Sequence, residues 1–536
     1  MKTINKKSTV FFLVILFLLL LRSDFRFIEK PLCCGDDHDY YSHAESLVID
    51  YDFDYSNQLE GFEKKRYNKN NKIAPKGFIG TGILSSPFLF LGSIIDNISD
   101  SLFSTDPNGL MNYKVLLYSL SSVFYFFLSI FLIYEVLKIL KVDENFYFIL
   151  LIFLGSGLPY FAFERYSMTH VYEVFTTSLI AFLSVSFYSE KNNNKKFYSF
   201  LIPLGVLMSL LVRWTNYYVV LLPLIIKLLF PNKLNNSKKL ITEVNFYISI
   251  IFSTIVFVFL NYKVYGIATI NPVLIYGDAS KKLDIFLNSI NNFPLFLENN
   301  FLYLFQILFG KEFGIFWFSP VIFISCLYVW IIIFTKKNKL LLKILLFLSF
   351  GQVFSTVFIW ASTASSYGYR YLYSLIPLSL FIHYSDSIKN KYSITKYYLI
   401  IFSVFGLLGI LFFETSETTA LQEAINSFGN LEPYTQPNYL LGLFSSFFSF
   451  SSYLIIFTTS FLGAIAFKFL LMIFSIDNLN SFLGGIGLPV ENQDFQNLLI
   501  ELSKISIDKF IFTSLLVYYI SKKINLKANK VNRIYE

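Results

Sequence analysis

Residues 113–137, YKVLLYSLSSVFYFFLSIFLIYEVL, decide the fold class. Lys114 and Glu135 are the only charged side chains among them, one near each end. A helix needs about 20 apolar residues to cross a hydrocarbon core roughly 30 Å thick, and this run supplies them. Its apolar positions are continuous rather than alternating, which predicts a helix and argues against a strand of an outer-membrane barrel.

Similar runs recur at 145–162, 170–188, 198–212, 217–230, 245–262, 313–334, 340–360, 369–385 and 397–413. The stretch 439–475 is too long for one crossing and is predicted to turn once near Thr458; a last run covers 509–520. Of the 536 residues, 55% are hydrophobic and 15% charged. A soluble domain has about 45–50% apolar and about 25% charged residues, so this chain has too few charges to coat a wetted surface. The expected fold is an all-α polytopic membrane protein with about 12–14 transmembrane helices.

The net charge of +8 comes from short basic clusters between the apolar runs, which is an orientation signal and implies no nucleic-acid partner. With Lys2, Lys6 and Lys7 in the cytoplasm, Lys138/Lys141, Lys191/Lys195/Lys196, Lys233/Lys238/Lys239, Lys336/Lys337/Lys339, Lys389/Lys391/Lys396 and Lys522/Lys523/Lys527 also fall there, while Lys64, Lys65 and Arg66 belong to a long loop to which the positive-inside rule does not apply. Both termini are then cytoplasmic, as expected of a multi-pass protein of the cell membrane. The basic start and short apolar core of MKTINKKSTVFFLVILFLLLLRSDF (1–25) resemble a secretory signal, but no small-x-small cleavage site follows, so a retained anchor is expected. Two regions are expected: a transmembrane region over 1–413, with a long first external loop at 22–112, and a C-terminal region over 414–536. Within the loop, GFIGTGILSSPFLFLGSII (77–95) carries Gly, Pro and Ser and is read as a helix lying on the membrane surface.

The same loop opens with CCGDDHDYYSHAESLVIDYDFDYSN (33–57), which places Asp36, Asp37, Asp39, Asp50, Asp52 and Asp54 beside the membrane. Tyr40, Tyr41, Ala44, Leu47 and Val48 follow a helical period, so a second amphipathic helix is predicted there. Asp36 and Asp37 stand at its N-terminus, where the helix dipole favours carboxylate charge. A carboxylate so placed can take a proton from an alcohol; the competing reading is a solvated acidic loop. Glu164, Arg165, His170 and Glu173 cluster at the ends of two runs, Arg213 sits between two half-length runs and Arg370 opens another. Charges at such depth are costly and face a cavity or a partner. Snorkelling, or a Glu164–Arg165 pair that only supports the fold, is the plainer alternative. All three arginines are expected on the same face as Asp36, as a site with one base and several phosphate-binding cations requires. His38 and His43 beside the aspartates leave a divalent metal open, although no ligand spacing marks one. Cys33, Cys34 and Cys326 form no disulfide framework, and no serine sits in a nucleophile elbow.

The order of these features resembles the polytopic GT-C glycosyltransferases, the superfamily of protein O-mannosyltransferases and aminoarabinose lipid A transferases, and a bacterial branch within it. The resemblance rests on Gly35, Asp36, Asp37, Tyr40, Ala44, Ser46, Leu47, Asp50, Asp52, Phe53 and Asp54. It continues through KGFIGTGILSSPFLFLG (76–92), YSMTHVYEVF (166–175), LVRWTNYYVVLLPL (211–224), FGIFWFSPVIF (313–323) and WASTASSYGYRYLYSLIPL (360–378). Trp214 stands where the family commonly has Pro, and the last ~120 residues resemble nothing comparable.

The resemblance implies an inverting transferase in a bacterial inner membrane. It would move a sugar from a polyprenyl-phosphate donor to a hydroxyl of a glycan, lipid or protein acceptor. Asp36 matches the family's loop base, with Asp37 and Asp39 as neighbouring candidates. Arg165, His170, Arg213 and Arg370, with Tyr369 beside it, would bind substrate. No cofactor and no metal ligand set is implied, and membrane lipid is the surrounding partner. A lipid or solute transporter is the main rival; it would show an inverted repeat and charges near mid-span, whereas the charges here gather at one face.

Overall fold

The computed structural model describes residues 35–59, 73–75, 77–103, 113–142, 146–189, 194–235, 239–271, 275, 293–310, 314–335, 339–360, 368–385, 392–412 and 485. The anticipated N-terminal anchor, the hairpin at 439–475 and the run at 509–520 lie outside them. The helices are α1 (Gly35–Glu45), α2 (Gly80–Phe103), α3 (Tyr113–Ile139), α4 (Phe146–Leu154), α5 (His170–Tyr188), α6 (Lys195–Val212) and α7 (Leu222–Leu229). They continue with α8 (Val244–Tyr265), α9 (Phe293–Phe309), α10 (Pro320–Thr335), α11 (Leu340–Trp360), α12 (Ile376–His383) and α13 (Tyr392–Phe412). No β-strand occurs among the described residues. The protein is therefore an all-α, multi-pass type of chain: α2, α3, α5, α6, α8 and α11 are each long and apolar enough to cross a membrane, and α10 and α13 are shorter apolar helices.

Several runs read as whole spans are half-helices, and glycine and proline explain the breaks. The run 145–162 stops after α4, where Gly155, Ser156 and Gly157 intervene and Gly157 takes φ +82°. The run 217–230 is a 3₁₀ turn, Tyr217–Val220, followed by α7; the run 369–385 is a 3₁₀ segment, Arg370–Leu375, followed by α12. Each half-helix has proline in its first turn, Pro223 and Pro377. Proline lacks the N–H that a preceding turn would need, so it starts a helix and does not continue one. Conversely, α2 extends well beyond the surface segment expected at 77–95, and its portion Gly80–Ile98 meets the length and apolarity of a span.

The chain divides into two compact units, one of 1–33, 88–123 and 411–536, the other of 34–87 and 124–410. In the first, the backbone N–H of Lys114 donates to Asp96 Oδ2 (3.1 Å), tying the start of α3 to α2. The second contains every candidate site residue. Its central helix is α5, with 89% of its span-length window buried, whereas only 22% of α8 is buried. Helices α6 and α8 run parallel: the Lys196 carbonyl accepts from Asn245 Nδ2 (3.2 Å), and Phe200 O accepts from Ser249 Oγ (2.5 Å), the same offset one turn later.

The segment expected to form the first external loop is folded onto the ends of these two helices. Tyr55, Leu59, Ala74, Phe78 and Ile79 are buried against Leu207, Leu211, Phe257, Val264 and Tyr265. The G-x-x-G-x-G spacing of 77–82 follows from close approach. A Cβ on Gly77 would strike the Tyr40 ring, one on Gly80 the backbone of Leu211 and Val212, and one on Gly82 the His43 Cβ and the α1 backbone. Those three positions seat the start of α2 between α1 on one side and the end of α6 on the other.

Candidate functional site

Helix α1 begins at Gly35 with Asp36 and Asp37 in its first turn. Of the apolar positions in the predicted period, Tyr41 and Ala44 of α1 and Val48 of the π-helical turn after it are buried and Tyr40 and Leu47 are half-buried, but Asp37, His38, Asp39, Ser42 and His43 are buried too. The helix is thus enclosed on most sides and does not float with a wet polar face, because its polar groups have protein partners. Ser42 Oγ donates to the His38 carbonyl (2.7 Å). His43 Nε2 meets the Gly77 carbonyl (2.8 Å) and Nδ1 meets the Tyr55 hydroxyl (2.8 Å). A carbonyl only accepts, so His43 carries its proton on Nε2, and Tyr55 donates to Nδ1. Burial pulls the His43 pKa down to about 4 against the smaller opposing pull of the Gly77 carbonyl. Both ring nitrogens are committed, which removes His43 from any metal-ligand set. Among the described residues no group of three or more His, Cys, Asp or Glu side chains converges as a metal site would require.

The six aspartates divide into two kinds. Asp50 Oδ2 accepts from Asn57 Nδ2 (2.9 Å) and from Gln58 Nε2. Asp52 Oδ1 accepts from the Asp54 N–H (3.0 Å), and Asp54 Oδ1 from the Ser56 N–H (3.1 Å). These three shape the turns that follow the π-helical Ser46–Asp50, where Tyr51 takes φ +57°. Asp36, Asp37 and Asp39 face inward or toward its edge: Asp37 and Asp39 are buried and Asp36 is half-buried.

Asp37 Oδ2 receives both Arg165 Nη2 (2.6 Å) and Arg165 Nε (3.2 Å), with both side chains buried. Arg165 thus reaches the loop, and the alternative Glu164–Arg165 pair falls on a Glu164 side chain that lies outside the described residues. Reach decides the pairing, since α1 and the π-helical turn Tyr160–Glu164 bring residues 128 positions apart into contact.

The second cluster is built on α5. Glu173 Oε1 accepts from Arg213 Nη1 (2.6 Å) and Thr169 Oγ1 (2.8 Å), and His170 Nδ1 lies 3.2 Å from it. Asn216 Nδ2 approaches Glu173 Oε2 (3.4 Å). Arg213, the first residue beyond α6, is extended (φ −154°) and reaches inward. Burial works against its charge, but the Glu173 carboxylate outweighs it and the guanidinium pKa is raised; the phenols of Tyr371 and Tyr40 act in the same direction. The Tyr40 phenol therefore lies within electrostatic reach of Arg213. Asp36 and Tyr40 are four residues apart on α1 and share a face.

Arg370 completes the arrangement. Gly368 takes φ +70° and turns the chain into the 3₁₀ segment that begins with Arg370. The Arg213 guanidinium stands 4.0 Å from the Tyr371 ring centroid and that of Arg370 5.4 Å, so one ring carries two cations. The Tyr218 hydroxyl donates to the Ser374 carbonyl (2.5 Å), locking the two 3₁₀–half-helix modules together. Gln352 of α11 braces the same junction, accepting from the Tyr218 N–H (3.2 Å) and donating to the Thr215 carbonyl (2.5 Å).

Arg165, His170, Arg213 and Arg370 thus gather in one unit with α1. Tyr369 is half-buried beside Arg370. Tyr371 as the shared platform, and Glu173 as the partner of Arg213, were not legible as roles. Tyr371 is one of several tyrosines in SSYGYRYLYS (365–374), and no spacing distinguishes it. Charge accounting separates the groups. Asp37 neutralises Arg165 and Glu173 neutralises Arg213. Among the described residues, Asp36 and Arg370 form no ion pair, and the buried Arg370 Nε has no hydrogen-bond acceptor.

Fold and site together define an all-α polytopic membrane protein with a carboxylate- and arginine-lined centre. No protein-family model, no curated protein and no solved structure matches the chain.

Proposed function

We propose that the protein is a membrane glycosyltransferase that moves a sugar from a polyprenyl-phosphate donor to an acceptor hydroxyl at the extracytoplasmic face, with inversion. The observation that carries this reading is the charge pattern above: among the described residues, the Asp37–Arg165 and Glu173–Arg213 pairs leave Asp36 and Arg370 outside any ion pair. A transfer of this kind needs one group to accept a proton and one to accept negative charge. Asp36 takes the hydroxyl proton as the acceptor oxygen bonds to the anomeric carbon. The bond from that carbon to the phosphate oxygen breaks, and the prenyl phosphate leaves with the electron pair. Arg370, stacked with Arg213 on Tyr371, neutralises the charge that develops on the leaving phosphate. Attack opposite the leaving group inverts the anomeric carbon. The basic clusters support an inner-membrane orientation with both termini in the cytoplasm. The acceptor is a hydroxyl of a glycan, lipid or protein.

The test uses purified full-length protein with a radiolabelled prenyl-phosphate sugar. Asp36→Asn is expected to keep donor binding and lose transfer by a factor on the order of 10²–10⁴. Arg370→Ala is expected to weaken donor use. Transfer at the wild-type rate by Asp36→Asn refutes the assignment of the base; unchanged donor kinetics in Arg370→Ala moves the phosphate elsewhere.

A further inference from the structure

Helices α6, α7 and α8 enclose a cavity of about 590 Å³ that plays no part in the chemistry above. On α6 it is lined by Ile202, Val206 and Leu210, one stripe at helical spacing that ends in Trp214; Ile250 and Phe257 of α8 form the facing wall. The lining is mostly apolar, with Ser253 and Thr254 on the α8 wall, and its charged groups lie at the end away from Arg213. There Lys227 Nζ sits 5.0 Å from the Tyr188 ring centroid, and Lys239 lines the same end. The Asn235 N–H donates to the Tyr188 carbonyl (3.0 Å), which fixes the intervening loop against the end of α5. The Lys239 charge is near enough to act on that of Lys227. Among the described residues, Glu243, the acidic group at the start of α8, pairs with neither.

Ten residues separate Ile202 from Val212, the last residue of α6, a length of about 15 Å at the helical rise, with Trp214 just beyond. One leaflet of a bilayer is about 15 Å of hydrocarbon. The groove is therefore the length of a single acyl chain, with two like charges at one mouth that a phosphate would bridge. Its lining residues Tyr217, Val220, Leu224, Ile241 and Ile250 are themselves exposed, so the groove is open along its side.

We propose that this groove is a binding site for one anionic glycerophospholipid, with its phosphate between Lys227 and Lys239 and an acyl chain lying along α6 toward Trp214. The site is separate from the proposed transferase centre, and the inference stands whether or not that reading does. Two lysines near a lipid phosphate imply roughly a ten- to thirtyfold preference for an anionic over a zwitterionic headgroup.

The experiment is native mass spectrometry of the delipidated full-length protein, offered equal amounts of dioleoyl phosphatidylglycerol and dioleoyl phosphatidylcholine. One phosphatidylglycerol retained per chain, at about that preference, is the expected result. The double variant K227Q/K239Q is expected to bind both lipids equally, and V206W, which fills the groove, to retain neither. Circular dichroism and a single elution peak identify variants that remain folded. Equal retention of the two lipids by the wild type, or a preference that survives K227Q/K239Q, overturns the proposal. So does displacement of phosphatidylglycerol by undecaprenyl phosphate in a manner that depends on Lys227 and Lys239, which would make the groove a donor site.

Discussion

Asp36 and Asp37 are adjacent in the chain yet meet different surroundings. Asp37 is buried with both near N–H groups of Arg165 on one of its oxygens, so its removal takes this carboxylate away from a buried guanidinium. Breaking such a pair typically costs about 3–5 kcal/mol, while replacing both partners by apolar residues is close to neutral. Asp37→Ala is therefore expected to lower stability in detergent by that order, measured by denaturant unfolding, and the double change Asp37→Leu/Arg165→Leu to recover most of it. His43 gives a pH signature. Its folded pKa of about 4 lies below the ordinary value of 6.5. The folded state then excludes the proton that the unfolded chain accepts, so stability is complete above pH 6.5 and falls as the pH drops toward 4. The loss reaches about 3 kcal/mol at 1.36 kcal/mol per unit. His43→Gln is expected to flatten that slope; an unchanged slope would assign it to another group. At this scale the sequence revealed which residue types are unusual in a membrane chain, but not who pairs with whom. The Glu173–Arg213 contact spans 40 positions and the Asp37–Arg165 contact 128, distances over which periodicity carries no information.

At the scale of elements, legibility followed chemistry that is local in the chain. The run 170–188 coincides with α5 because nothing interrupts it. The runs 217–230 and 369–385 looked alike in apolar content but hold Pro223 and Pro377 in mid-run, and each became a 3₁₀ turn with an eight-residue helix. That break is functional in the proposed account: it frees Arg213 and Arg370 from helical geometry and lets both reach the Tyr371 ring. The glycines of 77–82 suit a surface helix in the sequence, whereas in the fold they allow close contact with α1 and the end of α6. Gly82→Val is expected to push α1 off α2, costing about 1–3 kcal/mol as an overpacked contact does. On the proposed mechanism it also lowers transfer more than it lowers donor binding, because Asp36 moves and Arg370 does not. A Gly82→Val variant with unaltered stability and rate would show that α1 is not held there.

For the whole molecule, 15% of the residues are charged, and short basic clusters recur between the apolar runs. The lysine clusters made the orientation readable as a pattern, and it becomes a measurement in cysteine labelling. Tyr51 in the loop and Lys239 before α8 are both exposed. In a background with Cys33, Cys34 and Cys326 replaced by alanine, single cysteines at 51 and 239 are expected to react with a membrane-impermeant maleimide from opposite sides of sealed vesicles. Reaction from one side would overturn the proposed sidedness and, with it, transfer at the extracytoplasmic face.

The claim on which the account turns is that Asp36 and Arg370 serve one substrate. A cryo-electron microscopy structure with a non-cleavable prenyl-phosphonate sugar tests it most directly. The account expects the phosphonate within hydrogen-bonding distance of the Arg370 guanidinium and the anomeric carbon turned toward α1, with Asp36 on the side opposite the phosphonate. A phosphonate bound away from Arg370, or a sugar that does not face Asp36, would contradict it.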